Sequence, residues 1–146
     1  MTALRDAIDR WWAMFETGNL EDLPRLVAAD AEVIMPGGMV FKGPDEVRPM
    51  LQAYLDAFPG LKHEIVSTVE AADGIAVELR ITMKHTGPFT TPMGELPATG
   101  NTVELDACDL VRFGPDGLIS SWHAYFDSAS MMAQLGVGAP RPPPTY

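Results

Sequence analysis

The sequence predicts an α+β fold, with N-terminal helices packed on one face of a strongly curved antiparallel sheet. Three observations carry this. Up to residue 60 the apolar residues recur at helical spacing, after residue 60 they alternate, and hairpin-type turn signals separate the alternating runs. A sheet of this kind, half closed by helices, leaves a cone-shaped pocket. The length of 146 residues suits one domain with one core. Residues 1–137 read as that domain, and the proline-rich residues 138–146 as an extended tail.

Residues 3–16 read as an amphipathic helix, because Leu4, Ile8, Trp11 and Phe15 recur at spacings of three and four with Trp12 alongside. Gly18 and Asn19 end it. Asn19 is a good N-cap for a short second helix over 20–29, with Glu21 and Asp22 in its first turn. Residues 31–35 form a short strand candidate, closed by a turn at Pro36-Gly37-Gly38. Gly43-Pro44 then opens a longer helix. Pro44 suits its first position, and Val47, Met50, Leu51, Tyr54, Leu55 and Phe58 form its apolar stripe before Pro59-Gly60 closes it. Residues 65–69 alternate, Ala72-Asp73-Gly74 is a hairpin signal, and 75–85 alternate cleanly. Residues 86–101 are rich in Gly, Pro and Thr and read as a long loop. A third long strand spans 102–113, Gly114 to Gly117 make a turn, a fourth strand spans 118–126, and a short helix follows over 128–135.

Composition excludes several classes of function. The net charge is −10, and the ten Lys and Arg residues are scattered, so neither a nucleic acid nor an anionic membrane surface finds a basic face. No apolar run approaches the roughly 20 residues that cross a bilayer. The N-terminal MTALRDAIDRWW carries acidic residues where a secretion signal is basic, and a cytoplasmic location is expected. Cys108 is the one cysteine, so it can make no internal disulfide and no cysteine-based metal site. It reads as a small buried apolar residue. His63 reads as a surface or rim residue. Three scattered histidines without ligand spacing predict no metal, and the Gly-x-Gly-x-x-Gly and Gly-x-Ser-x-Gly patterns are absent. A small organic ligand or another protein is the expected partner.

The strand alternation selects candidate site residues. Ile75, Val77, Leu79, Ile81 and Met83 share one face and His85 continues it, so His85 should point inward. It is either a core histidine satisfied by a backbone group or a pocket residue able to protonate a ligand carbonyl. In the third strand, Asp109 falls on the apolar face of Val103, Leu105, Ala107, Val111 and Phe113. A carboxylate there is costly unless paired or protonated, so Asp109 is either a structural partner or a pocket acid with raised pKa. The fourth strand leaves both faces open: Trp122, Ala124 and Phe126 share one parity, His123, Tyr125 and Asp127 the other. Asp127 has a structural explanation as an N-cap for the last helix.

The runs HTGPF at 85–89, LPATGNTVEL at 96–105, DLVRFGPDGLISSW at 109–122 and YFDSASMMAQLG at 125–136 resemble SnoaL-like polyketide cyclases of the nuclear transport factor two superfamily, which also holds ketosteroid isomerase-like enzymes. The resemblance implies a cone-shaped α+β barrel, a homodimer formed through the sheet, and cofactor-free intramolecular aldol closure of a hydrophobic carbonyl compound. It places the acid/base at an aspartate near the end of the last strand, which matches Asp127, and His85 at the histidine of the HTG run. Trp12, Phe15, Met35, Phe41, Tyr54, Asp109, Trp122 and Tyr125 are the expected substrate-binding residues, with His85 or Tyr125 donating to the enolate oxygen. Two rival readings use the same residues differently. One is a ketosteroid isomerase-like or hydrolase-type enzyme. The other is a non-catalytic binding or dimerisation domain, in which Asp127 only caps a helix and side chains fill the cone.

Overall fold

The computed structural model describes residues 2–91 and 94–137; the proline-rich tail expected at 138–146 lies outside the described residues. Four helices, α1 (Ala3–Thr17), α2 (Leu23–Leu26), α3 (Gly43–Ala57) and α4 (Ser128–Gln134), accompany eight strands. The strands are β1 (Val27–Met35), β2 (Met39–Lys42), β3 (Lys62–Ala71), β4 (Gly74–Lys84), β5 (Phe89–Thr91), β6 (Gly94–Leu96), β7 (Thr102–Phe113) and β8 (Ile119–Phe126). Six strands form one curved α+β sheet in the order β2-β1-β8-β7-β4-β3, and β5 pairs with β6 as a separate hairpin. The sheet is open along β2 and β3, so the expected barrel is an open cone.

Local sequence explains most of these elements. Thr2 caps α1 by accepting from the Arg5 N–H, and Gly18 ends it in a left-handed conformation at φ 74°, its N–H donating to Met14. The buried stripe of α1 is Ala7, Ile8, Trp11, Trp12, Met14 and Phe15. Gly43 opens α3 at φ 67°, where an added Cβ would stand 2.4 Å from the Ala29 carbonyl oxygen, so glycine is required on two counts. Val47, Met50, Leu51 and Leu55 bury the inner face of that helix.

Four expectations change. The second helix shrinks from 20–29 to Leu23–Leu26, because Asn19 accepts from the Glu21 N–H in a local turn and Val27 already enters β1. The sheet is mixed rather than wholly antiparallel: β1 runs parallel to β8, with Val33 beside Trp122 and Ile34 beside His123. The loop expected over 86–101 contains the β5–β6 hairpin. Cys108 is exposed on the outer face of β7, because it has the opposite parity to Asp109.

A bulge alters β3. Ile65 pairs with Leu79 and Ser67 with Glu78, leaving Val66 as the extra residue. The parity flips there, and Val69 ends on the outer face at 71 % exposure although Ile65 packs against the core.

Candidate active site

The site begins with the alternation of β7. Every second residue from Val103 to Phe113 is buried, and Asp109 sits in that series at 3 % exposure. Its neighbours across the sheet are Val77 on β4 and the small Ala124 on β8. None of the ion pairs among the described residues includes it. Burial pushes its pKa up to about 7, and a hydrogen bond from the Trp122 side chain pulls in the opposite direction. Desolvation therefore favours the neutral acid well above the ordinary carboxylate range.

Asp109 lines a chamber of about 70 Å³ between the sheet and the helices. Trp11, Trp12 and Phe15 come from α1, and Trp11 stacks on Trp122 at 4.2 Å between ring centres. Met50, Leu51 and Tyr54 come from α3, and Trp122, Ala124 and Phe126 from β8. Asp109 is the one carboxyl among the described lining residues. Tyr54, whose hydroxyl makes no hydrogen bond to the described residues, has its pKa raised to about 12 by burial and stays a neutral donor. The Trp12 indole N–H is buried without a partner among the described residues.

Beyond the chamber lies an apolar mouth of about 790 Å³, a volume in the range of small-molecule sites. Phe41 lines it from β2, Phe89 and Leu96 from the β5–β6 hairpin, and Met131 and Met132 from α4. Gly87 keeps that hairpin close to α3. Its N–H donates to the Ala57 carbonyl, and a Cβ there would stand 1.9 Å from the Asp56 carbonyl oxygen.

The structure gathers some of the expected residues and separates others. Trp12, Phe15, Met35, Tyr54, Asp109 and Trp122 line the chamber, and Phe41 lines the mouth. Tyr125 does not join them. On β8 the inward parity belongs to Trp122, Ala124 and Phe126, so Tyr125 stands on the outer face, 50 % exposed and stacked on His123. Asp127 shares the parity of Tyr125. It is exposed, lies outside the lining of both spaces, and its carboxylate caps α4 by accepting from the Ser130 N–H at 3.0 Å. That corrects the expectation of a cavity carboxylate at Asp127.

His85 points inward but does not reach the chamber or the mouth. It is fully buried between Phe58 and Phe89, and its Nδ1 accepts from the Thr99 N–H at 3.2 Å. This fixes the neutral ring with its proton on Nε2, which finds no partner among the described residues. Burial pulls its pKa below the usual imidazole value, against an opposing effect of the Gly87 backbone. His63, expected at the rim, stacks on Trp12 at 5.1 Å. Met50, Ala124 and Met131 were not among the expected site residues. Met50 lay in the helix stripe as a core residue, and Ala124 carried no polar signal.

Fold and site together define an α+β cone of the nuclear transport factor two-like class, with one buried carboxyl among the described residues that line its chamber. The SnoaL-like domain model matches residues 8–122, and the chain belongs to that family. Among solved structures, IdmH of Streptomyces antibioticus, a candidate polyketide cyclase, is 27% identical with a TM-score of 0.72, covering 91% of this chain and 98% of its own. A candidate SnoaL-like polyketide cyclase from Jannaschia sp. CCS1 is 16% identical with a TM-score of 0.77, over 95% and 97% of the two chains. An LEH-like epoxide hydrolase of M. tuberculosis, 16% identical with a TM-score of 0.68 over 91% and 88%, shares the fold. No curated protein matches the sequence.

Proposed function

We propose that this protein is a cofactor-free acid/base enzyme acting on a hydrophobic carbonyl compound, with Asp109 as the proton-transfer group. The observation that carries the reading is a carboxyl 3 % exposed, without a counter-ion among the described residues, lining a chamber that shares five lining residues with an apolar mouth. Asp109 removes a proton α to a ligand carbonyl. The negative charge develops on the carbonyl oxygen, where the Tyr54 hydroxyl donates a hydrogen bond. In a cyclase the enolate carbon then forms a carbon–carbon bond to a second carbonyl carbon of the same molecule, and the resulting alkoxide takes the proton back from Asp109. The likeness of the chain to IdmH, a candidate polyketide cyclase, supports a ring-closing version. Asp127 keeps its role as a helix cap in this reading, and His85 its role as a core histidine.

The rival readings make different demands. Hydrolysis would use the same carboxylate to activate a water and is told apart by its product, an acid or alcohol rather than a ring. A purely structural domain accounts for the cap at Asp127 but gives no use for a desolvated carboxyl facing a cavity.

The test uses a naphthalene carrying a flexible butanone arm, incubated with the protein in deuterated buffer and followed by NMR. Wild type should accelerate exchange of the protons beside the ketone. The rate should climb with pH through about 7 and then level, because only the carboxylate is a base. Asp109→Asn should lose about a hundredfold or more of the acceleration. If Asp109→Asn exchanges as fast as wild type, Asp109 is not the base.

The same proposal includes a homodimer formed through the outer face of the sheet. One register row crosses all six strands there: Val40, Ile34, His123, Leu110, Ala76 and Val69. Val40, Leu110 and Val69 are exposed, and Tyr125 adds a half-exposed ring beside them. A row of this kind, apolar but for His123, is costly in water and suits a second copy of itself.

A further inference from the structure

Five side chains line both the inner chamber and the mouth: Met35, Met50, Tyr54, Phe126 and Met131. They come from the end of β1, from α3, from the end of β8 and from α4, so four elements converge on one neck. The two spaces it joins differ about tenfold in size, at about 70 Å³ inside and about 790 Å³ outside. A benzene ring occupies an apolar cavity of about 150 Å³. The inner chamber is about half that, too small for a six-membered ring to enter without displacing its walls. Asp109 lines the chamber and not the mouth.

We propose that this neck, with Met50 and Met131 as its adjustable walls, is the specificity filter of the site: it passes a slender acyclic carbonyl arm to Asp109 and holds the ring-bearing body of the ligand in the mouth. The inference rests on the proposed proton transfer at Asp109 and adds which carbonyl compounds can reach it. Methionine suits the position. Its unbranched thioether chain bends around a thin arm at little cost and offers polarisable contact to a flat body outside. Met50 and Tyr54 lie one helical turn apart on α3, so the donor hydroxyl and one wall are fixed by the same helix. A ring ketone fused into or ending a rigid body presents its α-carbon at the neck, short of the carboxyl.

The experiment compares two ketones of similar acidity on the same naphthalene, one in a flexible butanone arm and one in a cyclohexanone ring, by α-proton exchange in deuterated buffer. Each rate is taken relative to the Asp109→Asn protein. The filter predicts an acceleration at least about tenfold greater for the butanone arm, the scale on which a hydrophobic wall discriminates by size. Met50→Ala widens the neck, and should raise the ring-to-arm ratio of accelerations about tenfold. The wild-type comparison needs no variant, so a Met50→Ala protein that fails to fold leaves the prediction standing on the first arm, with Met131→Val as a second route to a wider neck. Equal acceleration of both ketones overturns the filter while leaving Asp109 as the base. Absence of acceleration for both ketones overturns the proton-transfer reading and the filter together.

Discussion

Asp109 shows what one residue costs and provides. Its carboxyl binds its proton far more tightly folded than unfolded, where a value near 3.9 applies. Between those values the folded state holds more protons, so the contribution of Asp109 to stability declines as pH rises from about 4 to about 7. Asp109→Asn removes the ionisation. It should raise Tm at pH 8, with an upper bound on the order of 4 kcal/mol, and show little gain at pH 4, while the exchange activity is lost. A melting series across pH reads this directly; a destabilised Asp109→Asn at pH 8 would contradict the desolvation account. His85 behaves with the opposite sign. Its folded pKa is depressed, so the stability it contributes is present above the unfolded imidazole value and is lost as pH falls through and below that value. His85→Asn keeps an acceptor for the Thr99 N–H without a titrating ring. The variant should lose less Tm than wild type between neutral pH and pH 5, and an identical acid slope would remove His85 as its cause. The parity argument read both residues as inward, and that much was legible. What each inward side chain meets was not, because the chamber extends under the middle of β7 while the end of β4 is covered by Phe58 and Phe89.

At the scale of elements, β8 decides which side chains face the chamber. Its inward parity gives Trp122, Ala124 and Phe126 to the chamber and leaves Tyr125 and Asp127 outside. Ala124 stands opposite Asp109 in register, and Ala107 is its inward neighbour on β7. Two small side chains around one carboxyl make the space in which a ligand can meet it. Ala124→Leu should fill that space, abolishing exchange and ligand saturation while changing Tm by about 1–3 kcal/mol equivalent or less, the usual cost of overpacking. Retained activity would move the reacting centre elsewhere. The sequence left the faces of β8 undecided because both parities carry aromatic residues. Pairing resolved it: the parallel neighbour β1 sets Trp122 beside the buried Val33. The β5–β6 hairpin escaped notice for a related reason. Strands of three residues are too short for alternation to register, and the Gly87 contact that holds them to α3 is long-range.

The whole molecule adds the outer face. Leu110 lies at the middle of the six-strand apolar row, 36 % exposed, between His123 and Ala76. Leu110→Arg should convert a dimer into a monomer in analytical ultracentrifugation, because it buries a charge in the centre of the proposed interface. The chamber lies on the other face of the sheet, so the monomer should keep its fold by circular dichroism. A wild-type protein that sediments as a monomer at all concentrations would rule the dimer out. Among the described residues no helix is long and apolar enough to cross a membrane.

Sequence alone determined the fold class, the two main helices, the four long strands and the inward aspect of Asp109, since each depends on a local period or a turn residue. Tertiary structure decided the rest: which of two aspartates meets the cavity, that β1 runs parallel to β8, and that a bulge at Val66 sends Val69 outward. Those facts depend on register between segments far apart in the chain, and a one-residue shift in register exchanges the faces of a strand without altering its hydrophobic pattern.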